Sequence, residues 1–432
     1  YDIGAYEYRN WYVDQAAVGA NNGTSWADAF TSLYVAIAEA SDGEQIWVAA
    51  GTYRPTTGTN RGVSFWLKPG LQIYGGFNGT ENDLSLRDWK TNETILCGDI
   101  GVMSNPNDNS YHVVVGASNA VLDGFVIQNG YADGSNPQNH GGGMYNNGVT
   151  MTIANCVFRY NYANSLGGGI MNDGSFPTIT NCSFYDNTAV TGGGGMFNNS
   201  SSPTLTNCWF RSNAGGAGGA IRNEGGSPII TNCTIYLNSA TGWKAGGIFN
   251  DNWSTPTVSN CIIWDNSAVG GDDAIYNGAN SGVTVEYSVV QGGWTGTGNY
   301  GNNPQFINAP VDLRLTASSP CINTAYGAGA PADDIDGNTR DALPDMGAFE
   351  FQVAHPAIWY VNASNSSNPN TGLSWAYAFT NLQSALALAG AGDEIWVAAG
   401  TYKPSQNGDR TAPFVMKSDV DIYGGFNGSE TL

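Results

Sequence analysis

Between residues 141 and 290 one pattern of about 26 residues returns five times, with a degenerate sixth copy, and any fold must put its copies in equivalent places. Each copy opens with a Gly pair, an apolar residue and an Asn: Gly142-Gly143-Met144-Tyr145-Asn146, Gly168-Gly169-Ile170-Met171-Asn172, Gly194-Gly195-Met196-Phe197-Asn198, Gly218-Gly219-Ala220-Ile221-Arg222-Asn223 and Gly246-Gly247-Ile248-Phe249-Asn250. The sixth survives as Ile275-Tyr276-Asn277. A second segment ends in Asn-Cys, at Cys156, Cys182, Cys208, Cys233 and Cys261, in steps of 26, 26, 25 and 28. A third places Phe158, Phe184, Phe210, Ile235 and Ile263 three residues before Asn161, Asn187, Asn213, Asn238 and Asn266.

Three short strands per repeat follow, none able to bury a face alone. Stacked as rungs about 4.8 Å apart, they pair every backbone group with the rung above and below. The fold class is all-β, a parallel β-helix or solenoid. Identical residues then form columns: Ile153, Ile179, Leu205, Ile230 and Val258 in one, Met144, Ile170, Met196, Ile221, Ile248 and Ile275 in another. Asn146, Asn172, Asn198, Asn223, Asn250 and Asn277 form a polar column, expected to bond amide to amide along the stack. Asn also tolerates left-handed backbone at corners, and Gly serves sharper turns. The five cysteines share one phase and form a single inward column of free thiols.

A longer repeat divides the chain. Trp11-Tyr12-Val13 returns as Trp359-Tyr360-Val361, a shift of 348, and Ile46 to Tyr53 returns as Ile395 to Tyr402, a shift of 349. Asp2 to Tyr8 matches Asp345 to Phe351. The expected organisation is a preceding module's tail over residues 1–10, a complete module over 11–351, a linker over 352–358 containing His355-Pro356, and the start of another module over 359–432. Residues 29–40, with Leu33, Ile37 and Ala40 on one face, and 379–389, with Leu382, Ala385, Leu386 and Ala389, read as short amphipathic helices. Each would precede the first rung of its module, Ile46 to Val48 in the complete one, and cover an otherwise open sheet edge. Lids in every module predict separate β-helices joined in series.

These residues also carry a family resemblance. The Gly-Gly-apolar and Phe-x-x-Asn repeats resemble those of polymorphic outer-membrane proteins. Ser319-Pro320-Cys321-Ile322-Asn323, Asp334-Ile335-Asp336-Gly337-Asn338-Thr339-Arg340 and Asp345-Met346-Gly347-Ala348-Phe349-Glu350 resemble the ending of bacterial surface proteins of the choice-of-anchor Q family. The resemblance implies a right-handed β-helix, export to the cell surface and, often, adhesion.

Composition narrows the partners. Fifteen Lys and Arg against 36 Asp and Glu give a net charge of -21, which disfavours nucleic acid because no basic surface would release counterions. No apolar run nears the roughly 20 residues that span a bilayer. The expected partners are neighbouring modules of the same protein and host, cell-surface or glycan ligands.

Candidate chemistry is sparse. Following the Asn column by one residue gives Asn147, Asp173, Asn199, Glu224, Asp251 and Gly278, so Glu224 and Asp251 fall on neighbouring rungs at about the separation of a retaining glycosidase pair, near Arg222. At turn positions, carboxylates also cap backbone for local reasons. Asp334, Asp336 and Asn338 resemble the opening of a calcium loop without its distal Glu, and an Asx-stabilised turn explains them as well. No C-x-x-C is present for zinc, and His112, His140 and His355 are scattered. Asn-x-Ser/Thr sequences occur at Asn22, Asn78, Asn92, Asn252, Asn362 and Asn365 among others, whereas Asn181 and Asn232, beside inward cysteines, should be unmodified. The sequence therefore predicts an extracellular structural or adhesive segment needing no cofactor. Its alternatives are a carbohydrate-active β-helix enzyme, or a non-catalytic glycan-binding module if Trp209, Trp264 and Trp294 line one groove.

Overall fold

The computed structural model describes residues 9–353, 357–366, 370–405 and 409–430, so the matched segment Asp2 to Tyr8 and the His355-Pro356 joint lie outside the described residues. The chain divides into two units, residues 1–258 with 263–284, and residues 259–262 with 285–432.

In the first unit the 26-residue pattern becomes parallel rungs paired in register. Strand Met144–Asn147 pairs with Ile170–Asp173, which pairs with Met196–Asn199, then Ile221–Glu224, Ile248–Asp251 and Ile275–Asn277. With Val114–Val115 and Phe65–Trp66 they make an eight-stranded sheet. A second sheet stacks Ile153, Ile179, Leu205 and Ile230, and a third stacks Phe158, Phe184, Phe210 and Ile235. All of these side chains are fully buried, each burial contributing about 1.5–3 kcal/mol. The phenylalanine rings stack nearly parallel, with centroids 5.0 and 4.5 Å apart.

Each rung adds a fourth strand beyond the three expected. Tyr162–Ala163, Thr188–Ala189 and Ala214–Gly215 belong to a six-stranded sheet of two-residue strands. Alanine and glycine are required there because the interior column Ala132, Ala163, Ala189 packs tightly at this corner. The Gly cluster has a similar cause: Gly167 sits at φ +67°, and a Cβ at Gly169 would run into the carbonyl oxygen of Gly195 on the next rung.

The left-handed corner residues are not the asparagines of the Asn146 column, although they too bond amide to amide, Asn207 to Asn181 and Asn181 to Asn155. Asn155, Asn181, Asn207 and Asn232 of the Asn-Cys motif lie between φ +49° and +53°. At the next corner it is the residue before Asn161, Asn187, Asn213 and Asn238 that turns, namely Tyr160, Asp186, Ser212 and Leu237. The ladder asparagines are thereby left extended, with side chains directed along the stack.

At the amino-terminal end, helix α1 spans Leu33–Glu39, shorter than the 29–40 expected. Phe30 is withdrawn from it by a parallel bridge to Val13, and Ala40 leaves it with extended backbone. Leu33, Ala36 and Ile37 are buried. Strand Asn10–Val13 pairs outside Gln45–Ala49, so the rung at Ile46 is the second and not the first.

The second unit contains an antiparallel pair, Phe306–Asn308 with Asp312–Leu315, and a parallel sheet of Ile358–Val361, Glu394–Ala398 and Asp421–Phe426. Helix α2, Leu382–Leu388, packs with that sheet around Trp359, Phe379, Leu386 and Ile395. Its register, Trp359 to Ile395 to Ile422, repeats that of Trp11 to Ile46 to Ile73 in the first unit.

Candidate functional site

Two buried amide ladders run along the rungs. In one, Asn146 Nδ2 donates to Asn172 Oδ1 at 2.9 Å, and the relation continues through Asn198, Asn223, Asn250 and Asn277 at 2.8 to 2.9 Å. Every donor points the same way. In the other, Asn187 Oδ1 accepts from both the backbone N–H and Nδ2 of Asn161, while Asn187 Nδ2 donates to Phe158 O and Asn213 Oδ1. From Asn187 to Asn266 each amide of this second ladder thus uses its full donor and acceptor capacity, which is what a buried amide requires.

Glu224 and Asp251 do fall on neighbouring rungs as register partners. Each is already engaged. Arg222 Nη2 donates to Glu224 Oε1 at 2.5 Å, and Arg222 Nη1 donates to Thr191 O at 3.0 Å. The Arg222 guanidinium lies between the rings of Phe197 and Phe249, 5.6 and 5.1 Å from their centroids. Asp251 Oδ1 accepts the N–H of Asn252 at 2.9 Å. The arrangement neutralises a cation trapped in an aromatic column and caps a turn.

The outer face of the phenylalanine sheet carries a feature the periodicity did not reveal, because it sits at the variable positions. Arg159, Tyr185, Arg211 and Tyr236 succeed one another in register, and Trp209 lies beside them. Arg211 stands 5.2 Å from the Tyr185 ring and 5.4 Å from the Trp209 ring, and Arg159 Nη1 donates to Tyr185 Oη at 3.1 Å. Trp264 follows on the strand bonded to Leu237. Trp294 belongs to the second unit.

In the second unit, Asp334 is buried and both its oxygens take N–H donors: Oδ1 from Asn338 N at 2.8 Å, Oδ2 from Glu350 N at 2.9 Å and Asn338 Nδ2 at 3.2 Å. These are the bonds of an Asx-stabilised turn, with Asp336 exposed beside it. No group of three His, Cys, Asp or Glu able to hold a metal ion occurs among the described residues.

Nearby lies a buried charge cluster that the sequence reading missed. Arg340 Nη1 donates to Glu350 Oε2 at 2.7 Å, and Asp345 takes the N–H groups of Asn323 and Phe351. Burial pushes the Glu350 carboxyl up to about 7, and burial together with Glu350 raises that of Asp345. Asp341, exposed at the surface, lines a cavity of about 310 Å³ with Arg340, Pro331 and Pro344. The available signal was six charged groups crowded into the 334–350 segment of a chain with only 12% charged residues.

All seven cysteines are free and buried. Cys182, Cys208, Cys233 and Cys261 donate to the carbonyls of Thr180, Thr206, Thr231 and Ser259 at 3.1 to 3.3 Å. His112 is buried against Tyr145 and bonded to Gly141 O, and burial lowers its pKa. His140 stands partly exposed and His355 lies outside the described residues.

The family described as a right handed beta helix region matches residues 111–291. The chain is a right-handed parallel β-helix. Among solved structures it is similar to pectate lyase Pel9A, with 14% identity, 81% of this chain and 98% of that chain covered, and a TM-score of 0.44. It is also similar to the pectin methylesterase from Aspergillus niger, with 16% identity, 69% and 88% covered, and a TM-score of 0.36. Pectin methylesterase PemA from Erwinia chrysanthemi gives 10% identity, 73% and 95% covered, and a TM-score of 0.37. Likeness at this level carries no chemistry across. A search of curated proteins finds no match. No helix among the described residues is long and apolar enough to cross a membrane.

Proposed function

We propose that the chain is a structural segment of an extracellular tandem-repeat protein, with the β-helix as a stiff spacer and its loops as contact surfaces for neighbouring modules or cell-surface ligands. The supporting observation is the unbroken amide chain from Asn146 to Asn277, five successive bonds, four of them fully buried, that tie six rungs together. A rod whose rungs are locked one to the next resists bending, and a binding or catalytic cleft is not needed to account for its buried polar residues. The division into a module over 11–351, a linker over 352–358 and a following module from 359 belongs to this reading. Electron microscopy of the native material tests it: filaments with an axial repeat of one module support it, and isolated globular particles overturn it.

A second reading, binding of a glycan without cleavage, is favoured by the Arg211, Tyr185 and Trp209 face, where flat rings offer stacking area beside guanidinium donors. Trp209→Ala should then lower retention on a glycan array at least tenfold. Equal retention of wild type and variant removes this reading.

A further inference from the structure

We propose that Asn22, Asn78 and Asn427 are acceptors of N-linked glycan, and that the fold withholds the other Asn-x-Ser/Thr sequences. The inference rests on the extracellular reading above, because the donor is met during export. The reaction needs an amide nitrogen that can be reached and a hydroxyl two residues on that lies against the amide. Asn22 is exposed, and its Oδ1 takes both the N–H of Thr24 and its hydroxyl, the latter at 2.7 Å. Asn78 repeats the arrangement with Thr80, the hydroxyl at 2.6 Å. Neither Nδ2 donates to any group among the described residues, so the nucleophile is left to solvent.

The same geometry recurs in the second unit. Asn427, displaced by 349 from Asn78, is exposed and takes the hydroxyl of Ser429 at 2.6 Å. Glycan at this position would therefore return once per module. Within the first unit the two acceptor loops are tied together, since Trp26 Nε1 donates to Glu81 O at 2.7 Å. Both glycans would leave from the end that carries strand Asn10–Val13, where a bulky hydrophilic chain hinders edge-to-edge pairing.

The remaining sequences are disarmed in distinct ways. Asn92 Nδ2 is held by Gly76 O, and Asn365 Nδ2 by Asn370 Oδ1 and Ala378 O. Asn252 is exposed, but the hydroxyl it needs is buried at Ser254 and bonded to Asp251 O. Asn181 Nδ2 donates to Asn155 and Asn199 Nδ2 to Asp173, Asn198 and Asn232 are fully buried, and half-buried Asn362 takes the N–H of Ser364 without a contact from its hydroxyl. In the transfer, Nδ2 attacks the anomeric carbon of an oligosaccharide carried on a polyprenyl pyrophosphate. The carbon–oxygen bond to phosphate breaks, the pyrophosphate leaves with the electron pair, and the amide proton passes to a base of the transferase.

Tandem mass spectrometry of glycopeptides from the native protein tests the assignment. Sugar-derived ions and added mass are expected on the peptides holding Asn22, Asn78 and Asn427, and none on those holding Asn92, Asn181, Asn198, Asn199, Asn232, Asn252, Asn362 or Asn365. Unmodified Asn22 and Asn78 overturn the proposal, as does glycan spread over all the sequences. If filaments show the one-module repeat but carry no glycan, this inference falls while the spacer reading stands.

Discussion

Asn161 gives two hydrogen bonds to a single oxygen of Asn187, from its backbone N–H at 3.2 Å and from Nδ2 at 3.0 Å. Asn187→Ala removes that oxygen and also strands Phe158 O, in a region where water cannot enter. The expected loss is about 3 kcal/mol, by analogy with other buried groups left unpaired. Urea unfolding should show it as a lower midpoint. Asn199→Ala, which cuts a half-buried bond to Asp173, should cost less than about 0.5 kcal/mol. Equal losses would mean that the inner ladder has no special weight.

Phe184 is the middle ring of three, with Phe158 and Phe210 stacked on either side. Phe184→Ala opens a cavity that neighbours in fixed register cannot collapse into, so a loss of about 3–5 kcal/mol is expected, and Phe184→Leu should recover part of it. A calorimetric scan that barely moves for the alanine variant would contradict the rigid packing.

Much of this was readable because the fold repeats. Six copies of one pattern averaged out the noise at each position, and the columns through Ile153, Phe158 and Met144 stand where periodicity put them. What depended on a single copy was less legible. The fourth strand at Tyr162–Ala163 is two residues long, below the length at which alternation can be recognised. Helix α1 lost its first turn to a bridge between Val13 and Phe30, a contact no local pattern encodes. The Arg340, Glu350 and Asp345 cluster joins residues up to ten apart along an irregular segment, where no period exists to reveal a shared interior.

That cluster makes the second unit pH-sensitive. Glu350 is raised from its ordinary 4.5 to about 7, so the folded state favours the protonated carboxyl. Its contribution is fully present below about 4.5 and is lost as pH rises through about 7, a span worth about 3 kcal/mol. The melting transition of this unit should fall between pH 4.5 and 7.5 and flatten in Glu350→Gln. A transition that rises over the same interval would exclude the assignment.

Seven buried thiols set a sharp kinetic test. A membrane-impermeant aromatic disulfide reagent should label none in the native protein within minutes and seven after unfolding in guanidinium. Prompt labelling of any thiol in the native state would place it at the surface.

Glu224→Gln removes one partner of the Arg222 pair and should alter stability by about 1 kcal/mol or less, with no change on a polysaccharide panel. Cleavage of a glycan by the wild type but not by this variant would sink the structural reading.

The Asn146 to Asn277 ladder crosses rung boundaries at separations of 26, 26, 25, 27 and 27 residues, yet its bonds stay between 2.8 and 2.9 Å. Extra residues are absorbed in the turns and the amides never lose step. A gene for such a protein can therefore gain or lose whole rungs by unequal recombination, since any two ladder asparagines are interchangeable ends for a splice. Length becomes a quantity that selection can adjust in single-rung increments, independently of the sequence that each rung displays.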